Sequence, residues 1–135
     1  MLRSTPQHYE GSARMSGDQG FSMTFTNGLT VSVQFGAMNY CDNRYGGGKA
    51  ELRPCPNAEV AVLWPEDHPG TDGHFYPITF GDDVVANLPT DCVATLIART
   101  MSVPYALARS AGEVRTDEVD PFGLMAGLGG SRDDA

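Results

Sequence analysis

The residues best suited to chemistry gather in one polar stretch, Met38 to Asn57, MNYCDNRYGGGKAELRPCPN. It holds the thiols Cys41 and Cys55, the cations Arg44, Lys49 and Arg53, and the phenols Tyr40 and Tyr45. Gly46-Gly47-Gly48 at its centre frees backbone amides. Amides beside guanidinium groups suit an anion, because the guanidinium fork matches phosphate and carboxylate oxygens. A nearby aromatic face can stack on a base. Tyr40, Asp42, Asn43, Arg44, Arg53 and Trp64 are therefore the candidate ligand-binding residues, with a small nucleotide or anion as the ligand class. The competing reading is a solvated loop whose arginines pair with Asp42 and Glu51. Gly46 to Lys49 is not a phosphate loop of the NTPase kind. That motif needs GK followed by Ser or Thr at the start of a helix, and Ala50 follows Lys49 with no helix signal.

Other reactive types are scattered. Zinc takes four N or S ligands, usually offered as close pairs. Cys41 and Cys55 flank one loop and His68 and His74 lie in the next, but no CxxC occurs. A zinc-stabilised domain is one alternative; ordinary thiols and solvated histidines are the plainer one. Cys92 falls in the first turn of an expected helix, where the dipole favours a thiolate, yet no His–Asp arrangement stands beside it. Its plain role is to fill space. Asp82-Asp83 and Glu66-Asp67 could serve acid–base or metal chemistry, but adjacent carboxylates on turns are far more often solvated turn formers. No catalytic constellation emerges, so the chain reads as a non-enzyme with no cofactor.

Composition bounds the rest. The chain has 135 residues, the size of one ordinary domain, and 41% of them are apolar, enough for a modest core. Sixteen glycines and nine prolines imply many turns. A net charge of −8 repels phosphate backbones and argues against general nucleic-acid binding. An odd cysteine count, three, argues against a closed disulfide framework. The first twenty residues lack the apolar run of a signal peptide. No stretch approaches the roughly 20 apolar residues of a spanning helix. The expectation is a cytoplasmic protein with reduced thiols and no membrane contact.

The elements that must position these residues follow from periodicity. Residues 1–19 are polar and Gly/Ser-rich and are expected to be disordered. From Phe21 to Phe35 every apolar residue is odd-numbered, the period-2 mark of strands with one buried face. Asn27-Gly28 between them predicts a two-residue type I′ hairpin turn. Ala58 to Trp64 is apolar on both faces from Val60 onward, as is a strand that lies centrally in a sheet or beneath a helix. Phe75 to Phe80 predicts a short strand, held to an edge by Pro77, and Val84-Val85 a brief extension. Thr90 to Met101 predicts a helix capped by Thr90, with Asp91 at its positive end. Its buried stripe is Val93, Leu96, Ile97 and Met101 or Thr100. Pro104 stops the helix, and Tyr105 to Ser110 adds at most a short turn. The whole is an α+β domain over residues 20–103: a small antiparallel sheet of three to four strands with one helix packed on one face. Residues 104–135 form an acidic, Gly-rich tail expected to be mostly disordered. So small a core would gain from self-association, which leaves room for a homo-oligomer.

The strings TFTNGLTVSVQFGAMNYCDNR (Thr24 to Arg44), NAEVAVLW (Asn57 to Trp64) and ITFGDDVVANLPTDCVATLI (Ile78 to Ile97) resemble small proteins encoded by tailed bacteriophages. In those, a strand–NG–strand segment leads to a Gly-rich loop with a Tyr, then an apolar strand, then a helix. Three departures stand out: Pro89 where relatives often carry a capping Ser or Thr, a longer insertion around Pro65 to Gly73, and the tail beyond Val103. The resemblance implies a phage-encoded accessory binding protein in the host cytoplasm, without catalysis, that contacts a host protein or self-assembles. An acidic protein can occupy the basic surface of a nucleic-acid enzyme. The second expectation is a counter-defence protein that sequesters a nucleotide signal.

Overall fold

The computed structural model describes residues 9–16, 19–44, 53–65, 75–76, 84–110 and 122–128. They form an α+β domain. The strands are β1 (Ser12–Met15), β2 (Gly20–Thr24), β3 (Thr30–Gln34), β4 (Asn57–Leu63), β5 (Phe75–Tyr76) and β6 (Val85–Pro89). The helices are α1 (Thr90–Met101) and α2 (Tyr105–Ser110). The sheet is antiparallel throughout, in the order β1-β2-β3-β4-β5, with β6 also on β4. β5 pairs with Val62 and Leu63 and β6 with Asn57 to Val60, so the two share one edge of β4. The sheet therefore exceeds the three to four strands expected.

The odd residues of the hairpin do face one core. Leu29, Val31 and Val33 are buried there with Ala58, Val60 and Val62 of β4, and Phe21 and Met23 pack at its margin. The turn differs from the type I′ expected. Phe25 N–H donates to Leu29 O (2.9 Å) and Gly28 N–H to Phe25 O (2.8 Å). Only Gly28 has a positive φ, +95°. The loop thus holds three residues, Thr26 to Gly28, with a left-handed glycine last. Parity explains this. A two-residue loop would set Thr26 opposite Leu29 and mix odd with even, whereas the observed register pairs Phe21 with Val33 and Met23 with Val31.

Freed from a left-handed turn position, Asn27 points inward and is buried. Its Oδ1 accepts from Leu29 N–H (2.9 Å). Its Nδ2 donates to Thr100 O (2.9 Å) and Val103 O (2.7 Å), with Met101 O at 3.4 Å. Thr100 and Met101 end α1, where intrahelical partners run out, and Val103 follows its C-cap Ser102. The hairpin tip therefore adds side-chain donors to the helix's C-terminal end.

α1 spans the residues expected, but Thr90 does not cap it. β6 runs into α1 without a loop, so Pro89, still paired with Asn57, is the N-cap and makes no side-chain bond. Thr90 N–H is satisfied by Pro56 O instead (3.2 Å). The buried stripe is Val93, Leu96 and Thr100, and Met101 is 56% exposed. Thr100 can be buried because its hydroxyl donates to Leu96 O (2.8 Å). α1 packs over β3, β4 and β6.

Two segments expected to be disordered carry structure. Ser12–Met15 pairs with β2 from Ser12↔Thr24 to Met15↔Phe21. In the tail, Leu124 is buried in the core and Phe122 meets Trp64 edge-on, centroids 6.0 Å apart. Arg99 of α1 donates to Leu124 O (2.9 Å) and to Ala126 O. Of the expected strand Phe75 to Phe80, residues 77–80 lie outside the described residues.

Replacing Asn27 with Ala removes the side-chain donor to Val103 O and leaves Thr100 O with only the longer bond from Val103 N–H (3.3 Å). We expect a loss of roughly 1–3 kcal/mol, read as a lower urea midpoint with unchanged slope. Asn27→Asp should be worse, since a carboxylate cannot donate and would face the negative helix end. A stability within experimental scatter of wild type for both would exclude the capping role.

Candidate functional site

The chain leaves β3 into a tight turn at 36–44 that is tied down from three sides. Gly36 N–H donates to Asn39 Oδ1 (2.9 Å) and Arg44 N–H to Cys41 O (2.9 Å), closing the turn on itself. β4 supplies the floor. Asn57 and Glu59 alternate with buried Ala58 and Val60, so their side chains leave on the face opposite α1. Glu59 Oε1 accepts from Asn39 Nδ2 (3.0 Å) and Tyr40 N–H (3.3 Å). Asn57 Oδ1 accepts from Asp42 N–H (2.9 Å).

β6 supplies the third tie through a bulge. Ala58 pairs with Leu88 and Val60 with Val85, so β6 advances one residue more than β4. Asn87 absorbs the extra residue at φ +53°, a conformation Asn tolerates better than most side chains. Val85 and Leu88, three apart, can then both point into the core, and both are fully buried. The bulge turns Asn87 N–H toward the turn, where it donates to Tyr40 O (2.9 Å). Asn87 Nδ2 also reaches Asp42 Oδ1 (3.4 Å).

Four of the six predicted site residues, Tyr40, Asp42, Asn43 and Arg44, share this turn. Asn43 Nδ2 donates to Phe35 O (2.8 Å) and Arg53 O (3.3 Å), so its amide is spent on the scaffold and brings Arg53 alongside. Gln19 clasps the Arg53 backbone: its Oε1 accepts from Arg53 N–H (3.0 Å) and its Nε2 donates to Arg53 O. Trp64 does not join them. It is buried against Phe122 and cannot offer a ring face to a ligand. Tyr45, Lys49, Gly46 to Gly48, Glu51, Glu66, Asp67, His68, His74, Asp82 and Asp83 lie outside the described residues. Gln19, Asn39, Asn57, Glu59 and Asn87 hold the site and were not read from the sequence.

What the turn presents outward is compact. Met38 is 76% exposed and Tyr40 49%. The Arg44 guanidinium lies 4.2 Å from the centre of the Tyr40 ring and donates to Met38 O (3.2 Å). The three side chains form one patch of aromatic, cationic and thioether character, on a backbone fixed by the sheet.

Beneath it, Cys41 is buried, with its thiol 3.6 Å from Gly36 O. Burial pushes this thiol up to about 11, and Cys55 and the Asp42 charge beside it add to the rise. Cys55 is half-buried and its thiol reaches Asn57 Oδ1 (3.7 Å). Cys92 packs partly buried against the core. Among the described residues no group of three or more His, Cys, Asp or Glu could hold a metal ion. No helix among them is long and apolar enough to cross a membrane.

The Cys41 proton is held more tightly in the folded chain than in the unfolded one. Its contribution is therefore intact below about pH 9 and lost as pH rises through about 11. Wild type should lose stability over that window more steeply than Cys41→Ala, measured by thermal melts at each pH. At pH 8 an aromatic disulfide reagent should label Cys55 first and Cys41 only upon unfolding. Equal labelling rates would contradict the burial of Cys41.

No protein-family model matches the chain, and no curated protein or solved structure matches it.

Proposed function

We propose that the protein is a non-catalytic binding module that engages another protein through the Met38–Tyr40–Arg44 patch. The observation that carries this reading is the Arg44 guanidinium seated on the half-exposed Tyr40 ring. Tyr and Arg are the types most often found to dominate binding energy at protein interfaces, and Met adapts to irregular partners. The turn beneath them is fixed by Glu59, Asn57 and Asn87, so little ordering remains to be done on binding. The polar side chains around the patch support the backbone rather than converging on a reacting centre.

The resemblance to tailed-phage proteins supports a host protein as the partner and the host cytoplasm as the place of action. The chain's −8 charge favours a partner with a basic surface around its contact pocket. Sequestration of a nucleotide is the weaker reading at this turn. Arg44 already covers one face of the Tyr40 ring, and the Asp42 carboxylate stands next to where a phosphate would lie.

The test is affinity capture from host lysate with wild type, Tyr40→Ala and Arg44→Ala, followed by titration of the identified partner. Each substitution should weaken binding by about tenfold or more, with the melting temperature unchanged. A partner bound equally well by all three chains would remove the patch from the interface. A melting shift of wild type with any nucleotide at millimolar level, abolished by Arg44→Ala, would move the site to the nucleotide reading.

A further inference from the structure

β1 is the outermost strand, and half of its backbone is unused. Ser16 N–H donates to Gly20 O (3.2 Å), and the register continues through Arg14↔Ser22 and Ser12↔Thr24. Antiparallel pairs alternate between bonded and non-bonded. Ser12, Arg14 and Ser16 therefore turn their N–H and C=O toward β2, while Ala13 and Met15 turn theirs outward. Among the described residues nothing bonds to that outward row. Edges are commonly protected by shortness, charge, proline or a bulge; β1, Ser-Ala-Arg-Met, is four residues long with one charge, Arg14, and no proline, and it is exposed along its whole length.

Among the described residues no helix covers the sheet face beside this edge. α1 touches β3, β4 and β6 but neither β1 nor β2. Met15, opposite Phe21 in register, is 82% exposed, and Met23 opposite Ala13 is only partly buried. An extended strand added at β1 would gain main-chain bonds and apolar contact together.

We propose that the occupant is a second copy of this chain, joined β1 to β1 across a two-fold axis at Ser12. Charge chooses both the occupant and the register. Two chains of net charge −8 repel at long range, so a self-contact needs a locally balanced strip. Residues 9–16 supply one, with a single acid, Glu10, and a single base, Arg14, both exposed. The antiparallel pairing about Ser12 takes in Gly11 and Glu10, which precede β1, and ends at Tyr9, whose N–H turns back to Thr26 O; within it Ala13 exchanges hydrogen bonds with Gly11 of the partner subunit. Arg14 then lies across from the partner's Glu10, and symmetry repeats both contacts. The strip is complementary to itself, as a two-fold interface requires. The β1 edge is separate from the Tyr40 patch, and either surface can fail without the other.

The test is sedimentation velocity of the full chain over a concentration series. Wild type should show a concentration-dependent dimer. Ala13→Pro removes an outward donor while leaving the bonds that Ser12, Arg14 and Ser16 make to β2, and it should be monomeric. Arg14→Glu alone and Glu10→Arg alone should each raise the dimer dissociation constant at least about tenfold. Mixing those two single variants should restore a dimer, because one chain then presents only bases and the other only acids. The mixture also guards against a variant that merely misfolds. A wild-type chain that stays monomeric, an Ala13→Pro chain that still pairs, or charge-reversed chains that do not pair with each other would each overturn the proposal.

Discussion

The Asn27 amide is the contact on which the rest of the structure depends. A helix lying on a sheet can slide, because apolar packing is not directional. Asn27 removes that freedom. Its Nδ2 reaches Thr100 O and Val103 O while its Oδ1 holds Leu29 N–H, so one side chain closes the hairpin and ends α1. The glycine that follows has a second constraint besides its left-handed φ. A Cβ on Gly28 would lie 2.5 Å from the Tyr9 ring and 2.7 Å from Pro65. Tyr9, in turn, stacks at a tilt on Tyr105 of α2 and donates its N–H to Thr26 O. The hairpin tip is thus where the N-terminal segment, the end of β4 and both helices meet.

The two faces of the sheet divide the work. On the α1 face, Val31, Val33, Val60, Val62, Val85 and Leu88 supply burial and therefore stability. On the opposite face β2 and β3 carry polar side chains that bond across the sheet: Thr24 to Thr30 (2.8 Å), Gln34 to Ser16 (2.7 Å). β4 is the strand that serves both. Ala58 and Val60 go to the core, while Asn57 and Glu59 hold the 36–44 turn. The turn is consequently anchored to the central strand, although it lies on the surface and buries only Cys41 among its larger side chains.

The hairpin and α1 were legible because each has a period that matches its geometry over many residues, and β4 because its unbroken apolar run from Val60 to Trp64 suits only a strand covered on both faces. The type of turn was legible too, in retrospect. Odd-only apolar residues on both sides of Asn27-Gly28 require an odd loop, and that parity outranks the local preference of Asn-Gly for a two-residue turn. β1 was not legible, since Ser-Ala-Arg-Met has no buried face and its strand state comes from bonds to β2 alone. Leu124 was hidden for a similar reason. Phe122, Leu124, Met125 and Leu128 are spaced by glycines in too short a run to show a period, and Arg99 reaches the Leu124 carbonyl across the fold. At the candidate site, Tyr40, Asp42, Asn43 and Arg44 were found together because they are neighbours in sequence. Glu59 and Asn87 were missed because their roles exist only once β4 and β6 are paired.

Asn87 shows why core and surface cannot be varied independently here. It is the one non-glycine residue with a positive φ among those described. Such a conformation often marks a functional site, but here the core already accounts for it. Without the extra residue, Val85 and Leu88 would fall on opposite faces and one of two fully buried side chains would leave the core. The bulge that keeps both inside is the same feature that aims the Asn87 amide at Tyr40 O. The height of Tyr40 above the sheet, and with it the seat of Arg44, is therefore a consequence of how two apolar residues pack on the other side. A regular β6 would release the turn even if every residue of the turn were kept.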